Sequence, residues 1–162
     1  MDRIIGIDYG RKRVGVAVSD PLGIFASALD TVHSAKIIDY IKKYAENENV
    51  VRFVVGWPTN RDGKPSEAAK DVKIFVGQLE KAFPGTPVEL EDERFTSVLA
   101  HRAMIDGGMK AKDRKDKESV DKISAAIILQ SWMDRHAAAP LPPMPELVPD
   151  SLSAKNTRKK RR

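Results

Sequence analysis

Two apolar runs separated by a short polar turn, Ile4-Ile5-Gly6-Ile7 and Val14-Gly15-Val16-Ala17-Val18, open the chain. The pattern predicts a β-hairpin, and Gly23 to Val32 follows as a third strand. Three successive strands with short links can pair only as an antiparallel meander, because a parallel return needs a crossover of a dozen or more residues. This start restricts the rest of the chain, whose later strands must add to an edge of the meander.

Beyond the meander, helical and strand patterns alternate. Ser34 opens a helix with Ile37, Ile38, Ile41 and Tyr44 or Ala45 at helical spacing, and with Lys42 and Lys43 at its C-terminal end, where the helix dipole favours cations. Val50 to Gly56 is a compact apolar strand. The turn-rich stretch after it precedes a helix from Ser66 to about Phe83, with Val72, Phe75, Val76 and Leu79 on one face. Pro87 to Asp92 gives a short strand, and Thr96 or Ser97 caps a helix through about Asp106. Ser119 to His136 is a last helix, apolar on several sides. Strands that return through helices lie parallel to their neighbours. The expected fold is therefore α/β: a mixed five-stranded sheet, an antiparallel β-meander plus two parallel strands, flanked by helices. This is the element order of a ribonuclease H-like domain.

Charge is unevenly placed. Of 28 basic and 23 acidic residues, 151–162 hold six basic and no acidic ones, leaving a net charge of −1 over 1–150. Five prolines between Pro140 and Pro149 precede the closing Arg158-Lys159-Lys160-Arg161-Arg162. That composition cannot form a packed core, so 1–136 is expected to be the folded domain and 137–162 a disordered tail. Cysteine is absent, which removes disulfides and thiolate metal sites. No apolar stretch is long enough to span a bilayer and no apolar leader precedes the first strand, so the chain is expected to be cytoplasmic, without a membrane partner.

Three carboxylates stand where a solvated acid is not expected. Asp8 ends the first strand, Glu93 follows the strand that ends at Asp92, and Asp121 opens the last helix on the face shared with Ala125 and Leu129. Singly, each has a plain structural reading: Asp8 as organiser of the turn at Arg11 to Arg13, Glu93 as a loop acid beside Arg94, Asp121 as a first-turn acid on the helix dipole. Together they can meet at one sheet edge, where their repulsion calls for a divalent cation. Hard oxygen donors suit Mg²⁺ or Mn²⁺, and two such ions ~3.5–4 Å apart would support phosphodiester cleavage. Asp92 is the reserve ligand, since alternation lets only one of Asp92 and Glu93 face the site. Residues 109–117 (MKAKDRKDK) lack apolar anchors and are expected to form a mobile basic loop. Lys110, Lys112, Arg114 and Lys115 in it, with Arg11 and Lys12 of the hairpin turn, are candidate contacts to a nucleic-acid backbone; a solvated linker is the alternative for 109–117.

The residues around these acids form four ordered blocks: Asp8-Tyr9-Gly10 with VGVAVSD, VGWPTNRDG at 55–63, Asp92-Glu93-Arg94-Phe95-Thr96-Ser97, and Val120-Asp121 with Ala125-Ala126-Ile127-Ile128-Leu129. In them the chain resembles the YqgF family over residues 3 to about 136. Members are described as pre-16S ribosomal RNA nucleases or Holliday-junction-resolvase-like proteins with a ribonuclease H-like fold. The resemblance implies that Asp8, Glu93 and Asp121 are catalytic and hold the metal. It also implies that Pro58, Asn60, Asp62 and Gly63 shape a loop beside the site, and that Arg94 and Thr96 support the glutamate or touch phosphate. Trp57 stands where a smaller aliphatic residue is expected. The implied activity is a metal-dependent nuclease acting on structured RNA, in 5′-end processing of pre-16S rRNA on ribosomal precursor particles, or on branched DNA, by a monomer or weak dimer. Two other classes compete: a catalytically silent RNA- or ribosome-binding module, and an actin-like ATP-binding domain. The second needs two large domains to enclose a nucleotide, more than 162 residues supply.

Overall fold

A computed structural model describes residues 1–60, 62, 64, 66–96 and 114–136. The elements are β1 (Asp2–Tyr9), β2 (Arg13–Ser19), β3 (Ala26–His33), α1 (Ile37–Ala45), β4 (Asn49–Trp57), α2 (Ala68–Ala82), β5 (Val88–Asp92) and α3 (Arg114–His136). One five-stranded sheet runs in the order β3-β2-β1-β4-β5. β1 pairs antiparallel with β2, and β2 with β3, whereas β4 joins β1 and β5 joins β4 in parallel. The mixed sheet expected from the sequence is thus present.

Alternation along the central strands sends side chains to two different cores. Ile5 and Ile7 of β1, Val14 and Val16 of β2, and Phe53 and Val55 of β4 pack on one face, against Ile37 and Ile41 of α1 and Val72, Phe75 and Leu79 of α2. The other face is covered by α3, where Ala17 and Val54 meet Ala125, Ile128, Leu129, Trp132 and Met133. Small residues on that face let the helix lie close. The parallel strands and the hairpin bring the ends of β1, β4 and β5 and the start of β2 to one edge of the sheet.

Several boundaries differ from the sequence expectation, each for a local reason. The third strand starts at Ala26, not Gly23, because Asp20 Oδ1 accepts the N–H groups of Ile24 and Phe25 at 2.7 and 2.8 Å and Gly23 turns at φ +69°. Ser34–Lys36 is a 3₁₀ turn before α1, with His33 Nδ1 accepting from the Ala35 N–H. The last helix begins at Arg114. Arg114 to Lys117, expected in a mobile loop, are therefore helical, and Asp121 lies about two turns inside the helix, beyond the reach of the dipole effect at its end. The expected helix beyond Thr96, through 106, residues 109–113 and the tail at 137–162 lie outside the described residues. Among the described residues no helix is long and apolar enough to cross a membrane.

Candidate active site

Asp8 is the last α3-facing residue of β1, and the residue is 7% exposed. Its two neighbours across the sheet are both glycines. Gly15 pairs directly with Asp8 on β2, and Gly56 stands next to Asp8 on β4, one residue beyond the Ile7–Val55 pair. Each glycine is covered by one of the other acids. A Cβ on Gly15 would run into the Asp121 backbone carbonyl and lie 2.9 Å from the Lys122 nitrogen. A Cβ on Gly56 would sit 3.3 Å from Glu93 Oε1 and 2.6 Å from Ile128 Cδ1. Strands are ~4.8 Å apart, so Asp121 and Glu93 lie on either side of Asp8 within about two strand spacings. Glu93, which follows β5, is only 3% exposed.

The three carboxylates are not drawn into a single cluster: among the described residues no three acids or imidazoles stand together as a metal-binding group. Arg13 Nε donates to Asp121 Oδ2 at 2.7 Å, holding that carboxylate toward the start of β2. Carboxylates on neighbouring elements repel one another, and a guanidinium on one of them offsets part of that repulsion. The donor set fits Mg²⁺ or Mn²⁺ in three respects. The side-chain donors offered by the acids are hard oxygens, the two glycines clear the floor around Asp8, and Ser124 Oγ, one turn from both Asp121 and Ile128, is buried with no hydrogen-bond partner among the described residues.

Asp92 faces the other way. Its partner across the sheet is Trp57, and its Oδ1 accepts the Arg94 N–H and the Thr59 hydroxyl, both at 2.9 Å. Hydrogen bonding from the Arg94 side chain, joined by that N–H and that hydroxyl, holds the Asp92 carboxyl below the usual aspartate range despite partial burial. The reserve ligand is thus the cap of the 3₁₀ turn Glu93–Phe95 that sets Glu93 over Gly56. The Thr96 N–H and hydroxyl close the same turn on the Glu93 carbonyl.

The candidate nucleic-acid contacts are less uniform. Arg11 and Lys12 are exposed at the hairpin tip, with Arg11 Nε on Asp71 of α2 at 2.7 Å, and exposed Arg94 is paired to Asp92. Lys110, Lys112 and Gly63 lie outside the described residues, and Arg114 and Lys115 are placed only by their helical backbone. In the loop after β4, the Pro58 carbonyl accepts from Ser66, and Asn60 N–H bonds the Lys64 carbonyl at 2.7 Å. Asp62 Oδ1 accepts the Lys64 N–H, tightening the loop.

Sequence reasoning missed two features. One is the role of Gly15 and Gly56, whose only sequence signal is a glycine inside a strand. The other is Glu91, on the α3 face at the register of Gly56, 2% exposed and bonded by Arg135. Burial pushes its carboxyl up, and Arg135 works against that rise. Next to it, Glu89 joins Arg52 and the Trp132 indole N–H at 2.5 Å each, tying β5 to α3.

A family model described as "RuvX: Holliday junction resolvase" matches residues 2–135. The chain belongs to this family. A protein of Phocaeicola vulgatus named "Putative pre-16S rRNA nuclease" is 54% identical over 134 residues, 83% of this chain and 96% of the relative. One of the same name from Bacteroides fragilis is 50% identical, over 83% of this chain and 97% of its own. Among solved structures, RuvC of T. thermophilus in complex with Holliday junction substrate superposes with a TM-score of 0.55 at 19% identity, covering 84% of this chain and 96% of that one. That likeness shows the ribonuclease H-like fold of the resolvases. The RuvX match ends at 135, so the basic tail falls outside it.

Proposed function

We infer that this RuvX-family protein is a divalent-metal-dependent endonuclease that hydrolyses phosphodiester bonds in structured nucleic acid, with the 5′ end of pre-16S rRNA as its substrate. The observation that carries the reading is a buried Asp8 between two glycines, one beneath Glu93 and the other beneath Asp121. A bland structural role for Asp8 does not account for this setting, because its neighbours provide space where an ordinary sheet would provide packing. Asp8, Glu93 and Asp121 would hold Mg²⁺ or Mn²⁺, which when bound supplies an activated water and neutralises charge on the leaving oxygen.

The rest of the chemistry belongs to the chain. Glu93 is fixed by the turn that Asp92 caps, and Asp8 by the pairing of β1 on both sides, so the two buried acids are held on rigid elements. Basic residues at the same edge, Arg11, Lys12 and Arg94, supply backbone contacts that carry no sequence information, with Lys110, Lys112, Arg114 and Lys115 as further contacts. Pro58, Asn60, Asp62 and Gly63 would shape a loop beside the site. The names of the relatives favour pre-16S rRNA as the substrate, which would be met on precursor ribosomal particles in the cytoplasm, and the family description makes a four-way DNA junction the second substrate. The domain of 1–136 acts as a monomer or weak dimer, with 137–162 as an appended tail.

The test is cleavage of end-labelled precursor rRNA and of a four-way junction in parallel, with Mn²⁺ and with EDTA, by wild type and Asp8→Asn. The expected result is metal-dependent cleavage that Asp8→Asn abolishes while nucleic-acid binding is kept or strengthened, since negative charge leaves a site that receives phosphate. Undiminished cleavage by Asp8→Asn would refute the assignment, and metal-independent binding without cleavage would favour the silent module.

A further inference from the structure

Among the described arginines near the site, Arg13 differs in what it holds. Arg11 and Arg94 pair with Asp71 and Asp92, neither of which is among the three proposed ligands. Arg13 pairs with Asp121, which is. Its backbone is pinned, since the Gly10 N–H donates to the Arg13 carbonyl at 3.0 Å and the residue pairs with His33 across β3. Its long side chain is 44% exposed, against 21% for Asp121, so the guanidinium sits at the mouth and the carboxylate lies further in.

We propose that Arg13 is a resident counter-ion of the acidic site that becomes a phosphate-binding residue when a divalent cation takes the Asp121 carboxylate. This rests on the metal-dependent reading of the same site. The exchange follows from charge. A half-exposed guanidinium–carboxylate pair is weak, and a divalent ion competes for the same hard oxygen. Arginine cannot shed its charge, so the freed guanidinium keeps a positive fork at the entrance to the site. A phosphodiester oxygen arriving at the metal is the anion best matched to that fork. Arg13 thereby keeps Asp121 compensated before loading and couples cation binding to substrate binding afterwards.

The two roles predict opposite changes in one variant. In the full chain, Arg13→Gln removes Arg13 as a competitor for Asp121, so Mn²⁺ titrations followed by thermal midpoint should give an apparent affinity about 2- to 5-fold tighter than wild type. The same variant should bind a fluorescent four-way junction or RNA hairpin more weakly in Ca²⁺, with a salt slope reduced by about one. In EDTA, where Arg13 stays on Asp121, the loss of binding should largely disappear. Arg13→Lys keeps the charge without the fork and should fall between wild type and Arg13→Gln, which guards against a folding defect in the first variant. Mn²⁺ affinity unchanged or weakened in Arg13→Gln, or an equal binding loss with and without cation, overturns the exchange. Absence of any Mn²⁺-induced shift in the wild type overturns the metal reading itself and the exchange with it.

Discussion

Gly15→Ala is the sharpest test of how α3 holds the site. The added Cβ would collide with the Asp121 carbonyl and lie 2.9 Å from the Lys122 nitrogen. Both obstacles are backbone of a 23-residue helix, so no side-chain rotation relieves them. Carbon–carbon contacts are comfortable at ~3.5–4.0 Å, so the helix must retreat by more than ~1 Å at this point. That retreat opens the packing of Ala125, Ile128 and Leu129 on the sheet. Overpacking of this kind costs about 1–3 kcal/mol, and a backbone obstacle places Gly15→Ala at the upper end. At ~2–4 °C per kcal/mol for a chain of this size, the thermal midpoint should fall by ~6–12 °C. Gly56→Ala meets mainly the far end of Ile128 at 2.6 Å, which can turn, so ~1 kcal/mol is expected there. Gly77, inside α2 with nothing within 4 Å of its would-be Cβ, is the control: Gly77→Ala should stabilise by ~0.5–1 kcal/mol. Circular dichroism melts and urea titrations of the three variants measure the ranking. A Gly15→Ala midpoint equal to wild type would refute the close seating of α3 and, with it, the placement of Asp121 beside Asp8.

Two further outcomes concern acids outside the proposed metal set. Glu91 has its carboxyl pushed up by burial, so the folded state favours the protonated form: its contribution is most favourable below the unfolded glutamate pKa and is lost as pH rises through the higher folded value. Glu91→Gln should therefore flatten the decline of stability above pH ~4.3 and be close to neutral near pH 7, read from midpoints across pH; a steeper decline in the variant would contradict this. Asp92 is shifted down, so its contribution is present above the ordinary aspartate range and disappears as pH falls through the lower folded value. Asp92→Ala should cost ~0.5–2 kcal/mol through the lost cap of the Glu93 turn and reduce cleavage by misplacing Glu93, while leaving the acid limb of the stability profile shallower.

Much of this protein is legible in local order along the chain. The hairpin, the third strand and the alternation after it restrict the sheet to a meander extended by parallel strands, because link lengths allow little else. The anomaly of Asp8, Glu93 and Asp121 is also local, since each acid adjoins residues whose spacing marks a buried face. Boundaries were less legible where a side chain overrules an apolar run, as Asp20 does for Ile24 and Phe25 by capturing their N–H groups. The charged stretch 114–117 lacks apolar anchors and predicts a loop, yet its backbone is the start of α3. Only the tertiary structure decided that Asp8 lies between Gly15 and Gly56, that Asp92 caps a turn, and that Arg13 reaches Asp121 across 108 positions of sequence. Which acid meets which cation, and which glycine makes room for which helix, depends on distances between elements far apart in the chain, and composition and periodicity carry no information about those distances.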